Sequence, residues 1–149
     1  QDVRKLLSFE VPAGIVVGPR HPLAGCEAVR LSDCASYPFV APDFSLATRE
    51  RIERAMQAAQ MRTVPGVVSN SIAVIKRLVR DNVHVAFLGA VDVVEEMRDR
   101  TLRFIPLGDR QWPKEELSLI VRNGTGMPPA THAIVERLRE QLAKVVAIA

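Results

Sequence analysis

Cysteine is scarce in this chain of 149 residues: only Cys26 and Cys34 are present. No Cys-x-x-Cys pair and no Cys/His ligand spacing occurs, which excludes a structural zinc site of the usual kind. The two thiols flank a short helical turn at 31–34 and are expected to be a reduced pair, with a redox disulfide as the alternative. Long apolar runs are absent too. The longest, such as Gly14-Ile15-Val16-Val17-Gly18, fall far short of the ~20 residues that cross a bilayer. No basic-then-apolar leader with a small-residue cleavage site opens the chain, so secretion is not expected. There is no internal repeat and no low-complexity segment.

Charge of one sign is also lacking. Twenty Lys+Arg stand against seventeen Asp+Glu, a net charge of +3, and the two signs are interspersed. Arg49, Arg51 and Arg54 share one helix with Glu50 and Glu53, a pattern expected of a solvated face rather than a nucleic-acid patch. No helix-turn-helix, zinc-finger or RNP signature occurs. Direct contact with DNA by these residues is therefore not expected.

The strings that announce catalysis are missing as well: no GxSxG, P-loop or HExxH. Glu95-Glu96 and Glu115-Glu116 are neighbours in sequence, and on a helix neighbouring side chains diverge by ~100°, so they make poor acid–base dyads. His21 lies at a Pro turn, where a structural hydrogen bond is expected. His84 reads as a satisfied histidine within an apolar strand, and His132 as a solvent-facing residue in the first turn of the last helix. An enzyme is not expected, nor is any cofactor.

What the chain does contain is an alternation of apolar strands and helices. Strands are expected at 6–11, 15–17, 38–41, 64–69, 83–88, 101–107 and 117–121. Pro65 confines strand 64–69 to an edge or makes it a strand start. Helices are expected from 42–45 to about residue 60, over 72–80, over 90–98, and from Pro128-Pro129 onward. Ile52, Met56 and Ala59 mark the buried face of the first, and Val74, Ile75, Leu78 and Val79 that of the second. Ile134, Leu138, Leu142 and Val145 form the stripe of the last. Such alternation predicts an α/β domain with a mainly parallel sheet flanked by helices. The segments 19–22 and 108–114 are the expected hinges.

In open α/β sheets, ligands sit beyond the carboxyl ends of the strands. Strand ends lead into helix starts at Pro42, Asp43, Phe44 and Ser45, at Ser69, Asn70 and Ser71, and at Gly89. Helix N-termini offer unpaired N–H groups and a positive dipole end, which favour carboxylates. These eight residues are the expected binding site for a small organic acid. Ser45, Ser69 and Ser71 are also natural N-caps, worth ~1 kcal/mol each, and Phe44 is a candidate for core packing. The two roles are compatible, because a cap can also touch a ligand.

Several short motifs recur in a telling order: His21-Pro22-Leu23-Ala24, Leu31-Ser32-Asp33, Tyr37-Pro38-Phe39-Val40, the helix bearing Arg49, Val67-Val68-Ser69-Asn70-Ser71, Ile75-Lys76-Arg77-Leu78-Val79, Ala86-Phe87-Leu88, and Leu102-Arg103-Phe104-Ile105-Pro106-Leu107. Leu117-Ser118-Leu119-Ile120-Val121-Arg122 and the final helix complete the series. Together they resemble the effector-binding domain of LysR-type transcriptional regulators.

The resemblance implies a type 2 periplasmic-binding-protein-like fold: two α/β lobes, two crossing strands and a cleft between the lobes. Residues 1–21 would then hold first-lobe and crossing strands, 22–107 the second lobe, and 108–149 the return strand and a first-lobe helix. The rest of the first lobe and a DNA-binding winged helix-turn-helix would lie upstream. It also implies a cytoplasmic homodimer or tetramer paired through helix 47–60 and strand 64–68, contacting DNA only through that upstream domain, with no membrane role. A stand-alone solute receptor of a transporter is the alternative on the same fold.

Two departures from the family pattern stand out. Members commonly carry Gly-x-Gly where this chain has Asn82-Val83-His84, so Asn82 is expected to adopt positive φ. Peroxide-sensing members place a cysteine where this chain has Leu46-Ala47-Thr48.

Overall fold

The computed structural model describes residues 3–61, 64–109, 115–122 and 128–148. Strand β1 (Val3–Val11) pairs antiparallel with β7 (Glu115–Arg122), Val11 opposite Glu115 and Val3 opposite Arg122. This two-stranded ribbon stands apart from the main sheet. Both strands are longer than expected from sequence, because ladder pairing extends them beyond their apolar centres. On the ribbon's surface, Lys5, Ser8 and Ser118 all donate to Glu116. Those bonds, the one from Lys5 foremost, hold the Glu116 carboxyl down to about 2.

A single residue, Pro12, separates β1 from β2 (Ala13–Val17). The main sheet has the order β4-β3-β5-β2-β6, with β3 at Phe39–Pro42, β4 at Val67–Ser69, β5 at Val85–Gly89 and β6 at Arg103–Pro106. Strand β3 runs parallel to β4 and β5, whereas β2 runs antiparallel to β5 and β6. The α/β class holds, but the pairings within the main sheet divide evenly between the two senses. Direction has no compositional signature, and strands buried on both faces read as unbroken apolar runs whichever way they point.

The helices are α1 (Ala47–Ala58), α2 (Ile72–Val79), α3 (Val94–Arg98, preceded by a 3₁₀ turn over Ala90–Val93) and α4 (Pro129–Ile148). Strand side chains alternate between faces, so the apolar runs split cleanly into two cores. Ile15, Val17, Phe39, Ala41, Val85 and Phe87 pack on one face with Ile52 and Met56 of α1. Val16, Val40, Ala86 and Leu88 pack on the other with Ile75 and Val79 of α2.

Asn82 adopts φ 65°, as its place in the motif predicts. Its Oδ1 accepts from the Arg20 N–H at 2.7 Å, tying the turn before β5 to the exit of β2. At Gly14 a Cβ would stand 2.3 Å from the Ile105 carbonyl oxygen, so β2 and β6 approach closely there.

Several boundaries differ from expectation. Helix α1 starts at Ala47 rather than at 42–45, because the Asp43 carboxylate accepts from the Ser45 N–H at 2.9 Å and holds those residues in a turn. It ends at Ala58, which leaves Ala59 exposed and gives its place on the buried face to Ala55. Val74 is likewise exposed, at 47%. Strand β4 starts only at Val67, after Pro65. His84 precedes β5 and pairs with Asp81 at 2.5 Å. Ile134 and Leu138 of α4 are 60% and 40% exposed, since no described residue covers that side of the helix. The expected hinge at 108–114 lies outside the described residues beyond Asp109.

Candidate functional site

Parallel pairing sets the carboxyl ends of β4, β3 and β5 on one edge of the sheet, so the turns that follow them converge there. Pro42 is in register with Ser69, and the Asp43 N–H donates to the Ser69 carbonyl at 2.8 Å. The turns at 42–45 and 69–71 are thus joined. Gly89 ends β5 on the same edge, and its N–H is taken by the Asp92 carboxylate at 3.1 Å.

Within the second turn, Ser69 Oγ accepts from the Ser71 N–H at 3.1 Å and Ser71 Oγ accepts from the Val74 N–H at 3.4 Å. Ser71 is therefore the N-cap of α2, as its residue type predicts. Both hydroxyls spend their acceptor side on the backbone, which leaves each proton free to donate. Ser45 does not cap α1. Leu46 holds that position without a side-chain hydrogen bond, so the helix start is left open. Phe44 is 71% exposed rather than part of the core.

Asp43 brings a negative charge to this edge. The Ser45 N–H bonded to its carboxyl holds it below the usual carboxylate range, so it is ionised at neutral pH.

Arg49 is where the site departs most from sequence reasoning. It is 6% exposed, not part of a solvated face. Its Nη1 reaches the Pro42 carbonyl at 3.4 Å and its Nη2 pairs with Glu53 at 2.5 Å. The guanidinium carbon lies 4.7 Å from the centre of the Phe44 ring, within cation–π range. Its Nε is buried and has no hydrogen-bond partner. The spacing held a signal: Arg49 stands three residues before Ile52 and seven before Met56, on the buried stripe of α1.

A cavity of about 10 Å³ lies within the first core, lined by Cys34, Phe39, Met56, Met61, Val85 and Phe87. That is room for at most one water, and the lining is apolar, so it offers no effector site. The described residues contain no cluster of three or more His, Cys, Asp or Glu suited to a metal ion.

The chain matches the LysR substrate binding domain family over residues 1–143. It belongs to that family. Members are ligand-binding domains of transcriptional regulators, not enzymes. The fold is shared with the Synechocystis PCC6803 CcmR regulatory domain in complex with 2-PG, at TM-score 0.72 and 16% identity over 92% of this chain and 65% of that one. The effector-binding domain of QuiR in complex with shikimate matches at TM-score 0.66 and 17% identity, over 91% of this chain and 63% of that one. HinK, a LysR family regulator from Pseudomonas aeruginosa, matches at TM-score 0.71 and 13% identity, over 95% of this chain and 48% of that one. This LysR-family chain thus spans less than two thirds of each of these three structures. No curated protein sequence matches it. No helix among the described residues is long and apolar enough to cross a membrane.

Proposed function

We propose that this chain is the effector-sensing part of a cytoplasmic LysR-type regulator, and that its effector is a small organic acid. One observation carries the reading: the turns at Pro42–Ser45 and Ser69–Ser71 are hydrogen-bonded side by side beyond the ends of parallel strands, beside Gly89. Their donors are the Ser69 and Ser71 hydroxyls and the N–H groups of Ile72 and Ala73, which precede the capped Val74 N–H at the start of α2, all suited to an oxyanion. The small ligands in the CcmR and QuiR complexes favour a ligand of this size.

Effector binding would act on the full-length regulator by favouring one of two arrangements of its parts. The DNA contact belongs to a domain outside these residues. Pairing of two copies would use α1 and the edge segment 64–68, which runs into β4 and where Val64 is 88% and Val68 49% exposed.

Thermal unfolding of the chain against a panel of small carboxylic acids tests the reading. An acid at 100 times its Kd stabilises the folded state by about 2.7 kcal/mol. A saturable rise in Tm for one chemical series is the expected result. No rise with any acid, here and in the full-length regulator, would overturn it.

A further inference from the structure

We propose that Arg49 reads the carboxylate of the effector by exchanging partners with Glu53, and that the site selects monocarboxylates with an apolar body. The inference rests on the organic-acid reading above and specifies it.

A guanidinium binds a carboxylate best when two parallel N–H groups meet both oxygens. On the edge formed by Nε and Nη2, Glu53 occupies Nη2 alone, at 2.5 Å, while Nε is buried without a partner. That edge is half filled. A buried donor without an acceptor costs free energy that a second oxygen would recover. Glu53 has the means to leave, since its side chain is 45% exposed and returns to water when displaced. The exchange replaces one carboxylate by another at the cation, so the charge balance around Arg49 is unchanged.

The neighbours narrow the ligand class. Nη1 is anchored to the Pro42 carbonyl, which fixes the guanidinium beneath the turn at the end of β3. The Phe44 ring covers the cation and is itself exposed, so it is both the cover that must move aside and an apolar surface for the ligand's body. Asp43 follows Pro42, whose carbonyl holds Nη1, and its carboxylate accepts from the Ser45 N–H at 2.9 Å, so its negative charge stands on the same turn as the Phe44 cover. A second carboxylate on the ligand would meet that charge, so dianions are disfavoured.

The test measures binding of acetate, isobutyrate, benzoate, succinate, phthalate and the neutral benzamide to the wild-type chain, E53Q, R49K and R49Q. The arginine Nε–H resonances are followed by ¹⁵N NMR and the affinities by calorimetry. The expected result is saturable benzoate or isobutyrate binding that moves the Arg49 Nε–H signal. E53Q should bind about tenfold more tightly, because no internal carboxylate competes, and R49K about tenfold more weakly, because an ammonium lacks the paired donors. Phthalate, succinate and benzamide should bind weakly or not at all. Thermal unfolding of each variant reports whether it is folded, and E53Q and R49K keep the test decisive if R49Q is not. Equal acid binding by the wild type, R49K and R49Q would overturn the role of Arg49 while leaving the organic-acid reading intact. An E53Q affinity equal to that of the wild type would overturn the exchange. Silence of wild type and E53Q toward every acid would overturn both readings.

Discussion

Asn82 is held at φ 65° in the turn between α2 and β5, and replacing it separates two contributions that usually come mixed. The first is backbone strain. A residue with a Cβ in the left-handed region costs about 1–2 kcal/mol, which asparagine softens and glycine escapes. The second is the side chain's bonding, chiefly the bond from the Arg20 N–H to Asn82 Oδ1 at 2.7 Å, beside a longer, exposed one from Nδ2 to the Arg80 carbonyl at 3.1 Å. Its loss costs about 0.5–1.5 kcal/mol. Alanine incurs both, so N82A should lose about 2.5 kcal/mol. Glycine loses the bond and loosens the unfolded chain by about 0.4–1 kcal/mol, so N82G should lose about 1.7 kcal/mol. Aspartate keeps an acceptor and tolerates positive φ, and N82D should lose least. Urea unfolding at pH 7 measures the order directly. For a chain of this length the alanine loss corresponds to a fall in Tm of about 5–10 °C. An N82A loss below about 1 kcal/mol, or one smaller than that of N82G, would refute the assignment of strain to this turn.

Further outcomes follow from the packing. G14A forces a methyl group to within 2.3 Å of the Ile105 carbonyl oxygen and should cost about 3 kcal/mol or more in urea unfolding; an unchanged midpoint would disprove the close approach. The Cys34 thiol is buried, and desolvation, followed by the charges of Asp33 and Asp109, pushes it up to about 12. At pH 8 a disulfide reagent should therefore label Cys26 alone until denaturant is added, and two reactive thiols in the folded chain would contradict this. Burial lowers the pKa of His21, and its Nδ1 accepts from the Leu23 N–H at 3.1 Å, so the neutral ring is the folded form. Below the unfolded value near 6.5 the unfolded state binds the extra proton, and stability falls with pH until the lowered folded value is passed. H21N keeps a capping acceptor without titrating, so its urea midpoint should change less between pH 7.5 and 5.5 than that of the wild type. Equal slopes would remove His21 from the account.

Much of the fold was legible because its strands are buried on both faces. Runs such as Gly14-Ile15-Val16-Val17 and Val85-Ala86-Phe87-Leu88 read as strands before any partner is known, and period-2 alternation then divides them between two cores. The direction of β2 was not legible. Its partners lie far along the chain, and nothing in an apolar run records which way it points. At the candidate site Ser71 revealed its cap, whereas Ser45 did not act as one because the bond from its N–H to Asp43 holds it in a turn that ends before Leu46, the N-cap of α1. The burial of Arg49 was obscured by its company: Glu50, Arg51, Glu53 and Arg54 make the segment look uniformly solvated. Only its spacing from Ile52 and Met56 opposed that view, and here spacing outweighed charge because Glu53 and the Pro42 carbonyl were in reach.

Strand β2 has a consequence for how this chain comes into being. It sits between β5 and β6, with Val16 opposite Ala86 and Gly14 opposite Pro106. During synthesis Ile15, Val16 and Val17 emerge well before β5 and β6, and neither neighbour exists until the intervening residues have followed. At ~5–20 residues per second that wait is on the order of ten seconds. For that interval a bare apolar strand has no native partner, and both of its hydrogen-bonding edges are open to any other chain. Assembly of the sheet is therefore a late and non-local event, slow by the topology of its contacts. A nascent chain stalled before residue 85 should be a client for chaperones rather than a half-built lobe.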